Sequence, residues 1–166
     1  MQQYMKPFMR VAVFSDTHGV TSPMVDAVTR FRPDAIIHLG DHDRDTSVLL
    51  SRFPEIPLYQ VAGNCDFAAL APNTLTVSLG PVQAFLTHGH LYHVNYGRVD
   101  SLVYAAQERG CQLALFGHTH IPFHQDIGGV KVVNPGTAGK GRDLTWALIT
   151  VYENGGMMVE IKNMDC

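Results

Sequence analysis

Apolar and polar positions along the chain follow two rhythms. Short apolar runs at Val11–Ser15, Ala35–Leu39 and Leu58–Val61 are bounded by glycine, proline and aspartate, as buried strands are. After the first run, Thr21 or Ser22 can cap a helix that tolerates Pro23 in its first turn, and Met24, Val25, Val28 and Phe31 form its apolar face. Pro33-Asp34 breaks that helix. Asp45 or Thr46 can cap a shorter one reaching Arg52, with Val48, Leu49 and Phe53 inward. Strand, helix, strand, helix, strand with short connections predicts a parallel sheet covered by helices.

The second half changes character. Leu75–Leu79 and Val82–Thr87 flank Gly80-Pro81 and predict a hairpin. A helix is expected over Val99–Arg109, ended by Gly110, with Leu102, Val103 and Ala106 on one face. A strand at Leu113–Phe116 follows, then a candidate hairpin around Gly128-Gly129 and a loop from Asn134 to Arg142. Two closing strands, Leu144–Tyr152 and Met157–Lys162, turn at Asn154-Gly155-Gly156. These hairpins predict a second, mostly antiparallel sheet packed on the first. Trp146 and the Met157-Met158 pair read as packing. No repeat, linker or low-complexity segment divides the chain, so residues 1–166 are expected to form one domain.

Composition narrows the class without naming a function. With 166 residues, 46% of them apolar and 16% charged, the chain can bury a core like an ordinary soluble globular protein. A net charge of −3 does not favour nucleic acid, whose binders carry a basic face. Cys65, Cys111 and Cys166 are too few and scattered for a disulfide framework, which points to a reducing interior. Met1 to Arg10 lacks the apolar core of a signal peptide, and no stretch approaches the ~18 apolar residues of a membrane span. A cytoplasmic protein with no membrane partner is the expectation.

The chemistry sits where the strands end. Asp16-Thr17-His18, Gly40-Asp41, Gly63-Asn64, Thr87-His88-Gly89 and Gly117-His118-Thr119-His120 each follow an apolar run. In extended chain, His118 and His120 would point the same way. Any one aspartate or histidine could simply cap a turn. Five strand ends bearing metal-type donors are harder to attribute to chance, and open α/β sheets bind ligands at the carboxyl ends of their strands. Asp16, His18, Asp41, Asn64, His88, His118 and His120 are oxygen and nitrogen donors. They suit Mn²⁺ foremost, with Ni²⁺, Co²⁺, Fe or Zn²⁺ as alternatives, better than Ca²⁺ or a structural zinc. Seven donors exceed one tetrahedral ion and suit two divalent ions sharing one carboxylate.

These motifs, in this order, resemble the calcineurin-like metallophosphoesterases. With the small size and the Asn134-Pro135-Gly136-Thr137 loop, they resemble its compact phosphodiesterase branch, which includes the retromer scaffold subunit. The resemblance spans about Arg10 to Lys162. It implies a four-layer α/β/β/α sandwich of two mixed sheets. It also implies one metal on Asp16, His18 and His120, a second on Asn64, His88 and His118, and Asp41 bridging them. Asp41, Asn64 and His88 are then the candidate catalytic positions. The activity implied is hydrolysis of a small phosphate ester, most readily a diester, by metal-bound hydroxide at the dinuclear centre. A non-catalytic protein-binding scaffold on the same fold is the alternative, and a nuclease a weaker third. A homo-oligomer through apolar surface on the second sheet is also open.

Two positions depart from the family pattern. Cys65 stands where the family usually has a histidine able to protonate the leaving group, and a thiol with pKa ~8.5 is a poor substitute. Arg44 lies three residues after Asp41, where the longer pattern has aspartate, so Asp43 and Asp45 are left out of the ligand set. Cys65, Asp66, His42, His90 and Arg142 are candidates to support the ligands or touch substrate, with Lys140 and His93 behind them. His38, inside an apolar run, reads as a core or ligand-supporting histidine, and His124 as a surface one.

Overall fold

A computed structural model describes residues 6–164, without the Tyr96 side chain. Residues 1–5, Asp165 and Cys166 lie outside it, as do the expectations that fall on them. The strands and helices run β1 (Pro7–Phe14), α1 (Ser22–Phe31), β2 (Ala35–His38), α2 (Ser47–Arg52), β3 (Leu58–Gln60), β4 (Thr74–Leu79) and β5 (Val82–Thr87). They continue with α3 (Asp100–Glu108), β6 (Leu113–Leu115), β7 (Phe123–Ile127), β8 (Val130–Asn134), β9 (Thr145–Tyr152) and β10 (Met157–Asn163). The first sheet has the order β10-β9-β1-β2-β3 and the second β4-β5-β6-β8-β7.

The apolar runs are continuous because both faces of the central strands are covered. In β1, Val11 and Val13 face the second sheet, where they meet Leu86, Leu115 and Val133 in the inter-sheet core. Their neighbours Ala12 and Phe14 face outward onto Met24, Val28 and Leu49 of the two helices. The second sheet repeats this, with Phe85, Ala114 and Val132 under Leu102, Val103 and Ala106 of α3. Helices, sheet, sheet and helix form the four expected layers.

The second sheet read from the hairpins is wrong in two respects. It is not mostly antiparallel but mixed, as the family resemblance implies, with β5, β6 and β8 parallel and only β4 and β7 antiparallel to their neighbours. The closing hairpin joins the first sheet, where β9 runs antiparallel to β1 and to β10. The eight residues of β9 explain the choice: seven are buried, which requires a strand on each side and cover on each face. Met158, expected to pack, lies on the outer strand and is 44% exposed. No described helix is long and apolar enough to cross a membrane.

Candidate metal centre

Strands β1, β2 and β3 of one sheet and β5 and β6 of the other end at the same edge, and their loops converge. Asp16 is fully buried and held from two sides. Its Oδ2 accepts the Ser15 hydroxyl at 2.7 Å and the His118 backbone N–H at 3.1 Å. Its Oδ1 accepts no hydrogen bond and lies 3.2 Å from Nε2 of His120 and 3.9 Å from Nε2 of His18. Nε2 of His18 is also buried without a hydrogen-bond partner, 3.8 Å from Oδ2 of Asp41. Donor atoms of Asp16, His18, Asp41 and His120 all lie within 4.8 Å of one another, close enough to hold a metal ion.

A second group lies on the other side of Asp41. Its Oδ1 accepts the Cys65 N–H at 2.9 Å and faces Nε2 of His88 at 3.4 Å. Nδ1 of His118 is 3.2 Å from that same Nε2 and 2.9 Å from Oδ1 of Asn64. The ring of His88 is oriented from across the sheet interface, where its Nδ1–H donates to the Leu39 carbonyl at 2.7 Å. That bond leaves Nε2 to carry either a proton shared with Asp41 or a lone pair for a cation.

The electrostatics suit a cation. Burial alone would raise the Asp41 carboxyl, but the hydrogen bond and charge of His88 and the Cys65 N–H hold it well below the usual range. Burial lowers the pKa of His18, against the opposing pull of Asp16 and Asp41, and burial with the charge of His88 lowers that of His118. Both are therefore held toward the neutral imidazole that ligates metals. For His88, burial lowers the pKa, but the Asp41 and Asp16 carboxylates outweigh it and the net shift is upward.

The backbone that aims these groups is not extended. Among the described residues nine other than glycine have positive φ, and six of them are Asp16, His18, Asp41, His42, His118 and His120. The extended His-Thr-His geometry expected from the sequence is thus wrong. His118 (φ 69°) and His120 (φ 63°) are left-handed, and they address opposite ends of the cluster rather than one spot. Left-handed residues store strain, and aspartate and histidine tolerate it better than most. Glycine provides the clearance: a Cβ on Gly40 would lie 2.5 Å from the Gly63 nitrogen, and one on Gly63 would fall on Oδ1 of Asp41.

Other expected residues surround the cluster in different ways. The Asp66 carboxylate accepts backbone N–H groups of Gly63, Asp41, His42 and Asp43 at 2.7–3.0 Å, tying the β2 loop to the β3 loop. The His90 ring lies tilted against that of His88 with centroids 5.5 Å apart, its Nδ1 buried and unpartnered, and His42 lies on the rim, its ring 5.3 Å from His18. Cys65 is exposed beside Asn64, and burial by its surroundings with the nearby Asp41 pushes its thiol pKa up. Arg142 is exposed, and Lys140 is near enough for its charge to act on His18. Buried His38 and exposed His124 sit as expected.

Three residues support the cluster in roles the sequence did not assign, two of them in the Asn134-Pro135-Gly136-Thr137 loop that carries the resemblance. Ser15 and Thr137 hold Asp16, Thr137 by donating to its carbonyl at 3.0 Å. Asn134 donates to Gly117 O and Thr119 Oγ1, both at 3.0 Å, and fixes the turn carrying both histidines. The signals for Asn134 were its place at the head of the Pro-Gly turn and that loop's likeness to the family.

Known proteins match this arrangement along most of the chain. The calcineurin-like phosphoesterase superfamily domain matches residues 9–154. The chain belongs to that superfamily. A probable metallophosphoesterase of Bacillus subtilis, YsnB, is 33% identical over 132 residues, covering 78% of this chain and 75% of that protein. The crystal structure of a predicted phosphoesterase from Streptococcus pneumoniae superposes with a TM-score of 0.74 at 26% identity, covering 93% of this chain and 97% of that one. Vacuolar protein sorting 29 from Cryptosporidium parvum superposes at 0.75 over 93% of this chain and 96% of its own, with 17% identity, and so shares the fold alone. Membership in this phosphoesterase superfamily implies divalent metal, and the donor cluster fits one.

Proposed function

We propose that the protein is a metal-dependent phosphodiesterase with two divalent ions, most readily Mn²⁺, one on Asp16, His18 and His120 and one on Asn64, His88 and His118. The Asp41 carboxylate, with one oxygen turned to each group, is shared between them. One observation carries this reading: two donor groups meet at Asp41, with Asp16 Oδ1 and His18 Nε2 buried and lacking any hydrogen bond. Leaving such atoms unpaired costs about 1–3 kcal/mol each, so a cation is the natural complement.

Divalent ions in that position supply Lewis acidity, lowering the pKa of water and neutralising phosphate charge. The chain's own residues supply everything else. Leu39 O fixes the His88 tautomer, Ser15 and the His118 N–H hold one oxygen of Asp16 so that the other is free, and Asp66 orders the backbone that presents Asp41. Two carboxylates against two divalent ions leave excess positive charge for an anionic ester. Lys140, whose charge acts on His18, is exposed. A singly charged diester needs less further neutralisation than a monoester dianion, which favours the diester.

The test is hydrolysis of bis-p-nitrophenyl phosphate and p-nitrophenyl phosphate by metal-stripped protein, then with Mn²⁺, Ni²⁺, Co²⁺, Zn²⁺ or Mg²⁺ added singly. Turnover should return with metal, favour the diester, and fall at least ~10³-fold in Asp41→Asn. Folded protein that binds two ions and turns over neither ester would refute the hydrolase and favour a scaffold.

A further inference from the structure

An apolar cavity opens beside the turn that carries His118 and His120. Its volume is about 110 Å³, and Val94, Val99, Phe116, Thr119, Ile121 and Phe123 line it. Val94, Val99 and Phe116 are core residues under α3, while Ile121 is 66% exposed at the rim. Phe116 and Phe123 meet edge to face with ring centroids 6.0 Å apart. Thr119 belongs to the wall of the cavity and also separates the two histidines, so the apolar surface is continuous with the donor cluster. The Phe116 ring reaches the Gly89 position as well, directly after His88.

We infer that this cavity is the subsite for one aromatic ring of the phosphate ester, which defines the substrate class as diesters bearing a single-ring aromatic or heteroaromatic group. The inference rests on the phosphodiesterase reading above. Size sets the limit: an apolar cavity of about 150 Å³ encloses benzene, so this half-open one admits a six-membered ring and not two fused rings. Chemistry sets the preference. An edge-to-face phenylalanine pair presents both ring faces and ring edges, to which a third ring can add in the offset or T-shaped arrangements aromatics prefer. Exposed Asn95 also lines the cavity and offers an amide donor and acceptor to a ring heteroatom, as in a pyrimidine. A purely alkyl ester would leave the cavity to water.

Calorimetric binding to the Mn²⁺-loaded protein tests this without turnover, using methylphosphonate, phenylphosphonate and 1-naphthylphosphonate as probes. Phenylphosphonate should bind about tenfold more tightly than methylphosphonate, and 1-naphthylphosphonate should lose most of that gain. Ile121→Ser removes an exposed rim side chain and should fold normally. It should reduce the phenyl preference to about threefold or less and leave methylphosphonate affinity unchanged. Equal affinity for methyl and phenyl probes overturns the subsite and leaves the phosphodiesterase reading standing. No binding of any probe to protein that holds two ions overturns both.

Discussion

His38 should make folding stability depend on pH between about 4 and 6.5. The side chain is fully buried on β2, and the Gly40 N–H donates to its Nδ1 at 3.2 Å. With Nδ1 accepting, Nε2 carries the hydrogen and donates to Thr17 Oγ1 at 3.1 Å. Burial lowers its pKa from 6.5 to about 4, although Asp16, Asp45 and Asp66 pull the other way. The unfolded chain therefore takes up a proton in this window that the folded chain refuses. Stability is present above the unfolded pKa and is lost as pH falls toward the folded one. From about pH 7.5 to about pH 5 the loss attributable to His38 is about 2 kcal/mol, rising to roughly 3 kcal/mol below about pH 4. The assay is urea unfolding at both pH values with chelator present, so that metal release adds nothing to the slope. His38→Gln keeps a donor toward Thr17 and removes the titration. It should lose about 1–2 kcal/mol at neutral pH through the stranded Gly40 N–H, yet lose about 2 kcal/mol less than the parent on acidification. Equal acid losses in parent and variant would refute a neutral, buried His38.

The other predictions concern the loops around the donor cluster. Asp66→Asn replaces one acceptor oxygen with a donor facing two of the four N–H groups it satisfies. It should cost about 2–4 kcal/mol in urea unfolding and weaken Mn²⁺ binding about 10–100-fold by calorimetry. Gly63→Ala drives a methyl group onto the Asp41 carboxylate and should abolish Mn²⁺-induced thermal stabilisation even where the protein still folds. The raised pKa of Cys65 leaves it a thiol at about pH 7.5, so iodoacetamide should label it more slowly than free cysteine despite its exposure. Labelling at or above the free rate would show that the nearby carboxylates do not suppress the thiolate.

The convergence of the donor side chains was legible because of a topological rule. Parallel strands place their carboxyl ends on one edge, so motifs at Asp16, Asp41, Asn64, His88 and His118 had to converge if their apolar runs were parallel strands. The destination of a strand is less legible, since an apolar run does not name its neighbour. Thr145–Tyr152 did carry a clue, because so long an apolar run suits a central strand buried on both faces and not one arm of an outer hairpin. Periodicity also misled at the His-Thr-His turn, where two-residue spacing was read as extended chain. Left-handed backbone has no strong signature in histidine or aspartate, and only flanking glycines such as Gly117 hinted that the strand had ended. The supporting roles of Asn134, Ser15 and Thr137 were hidden for a simpler reason. Their role is to satisfy backbone and carboxylate atoms far away in sequence, and nothing local to them reports it.

The strain and the supports form one device. Six non-glycine residues in left-handed conformation at about 1–3 kcal/mol each represent a cost comparable to the whole stability of an ordinary domain. Such a cluster persists only where the surroundings over-determine it. Here the restraints are countable: four N–H groups on Asp66, two acceptors bound by the Asn134 amide, the Leu39 carbonyl on His88, and Ser15 and the His118 N–H on Asp16. On Asp16 and His88 the bonds fix one side of the group and leave its other donor atom free, while those of Asp66 and Asn134 order the backbone around them. The outcome is that Asp16 Oδ1 is buried and unpaired by construction, not by loose packing, and His18 Nε2 is buried and unpaired beside it. A side chain merely packed at a strand end would relax to find a partner. Asp16 is prevented from doing so, and that favours a cation site over a set of turn caps.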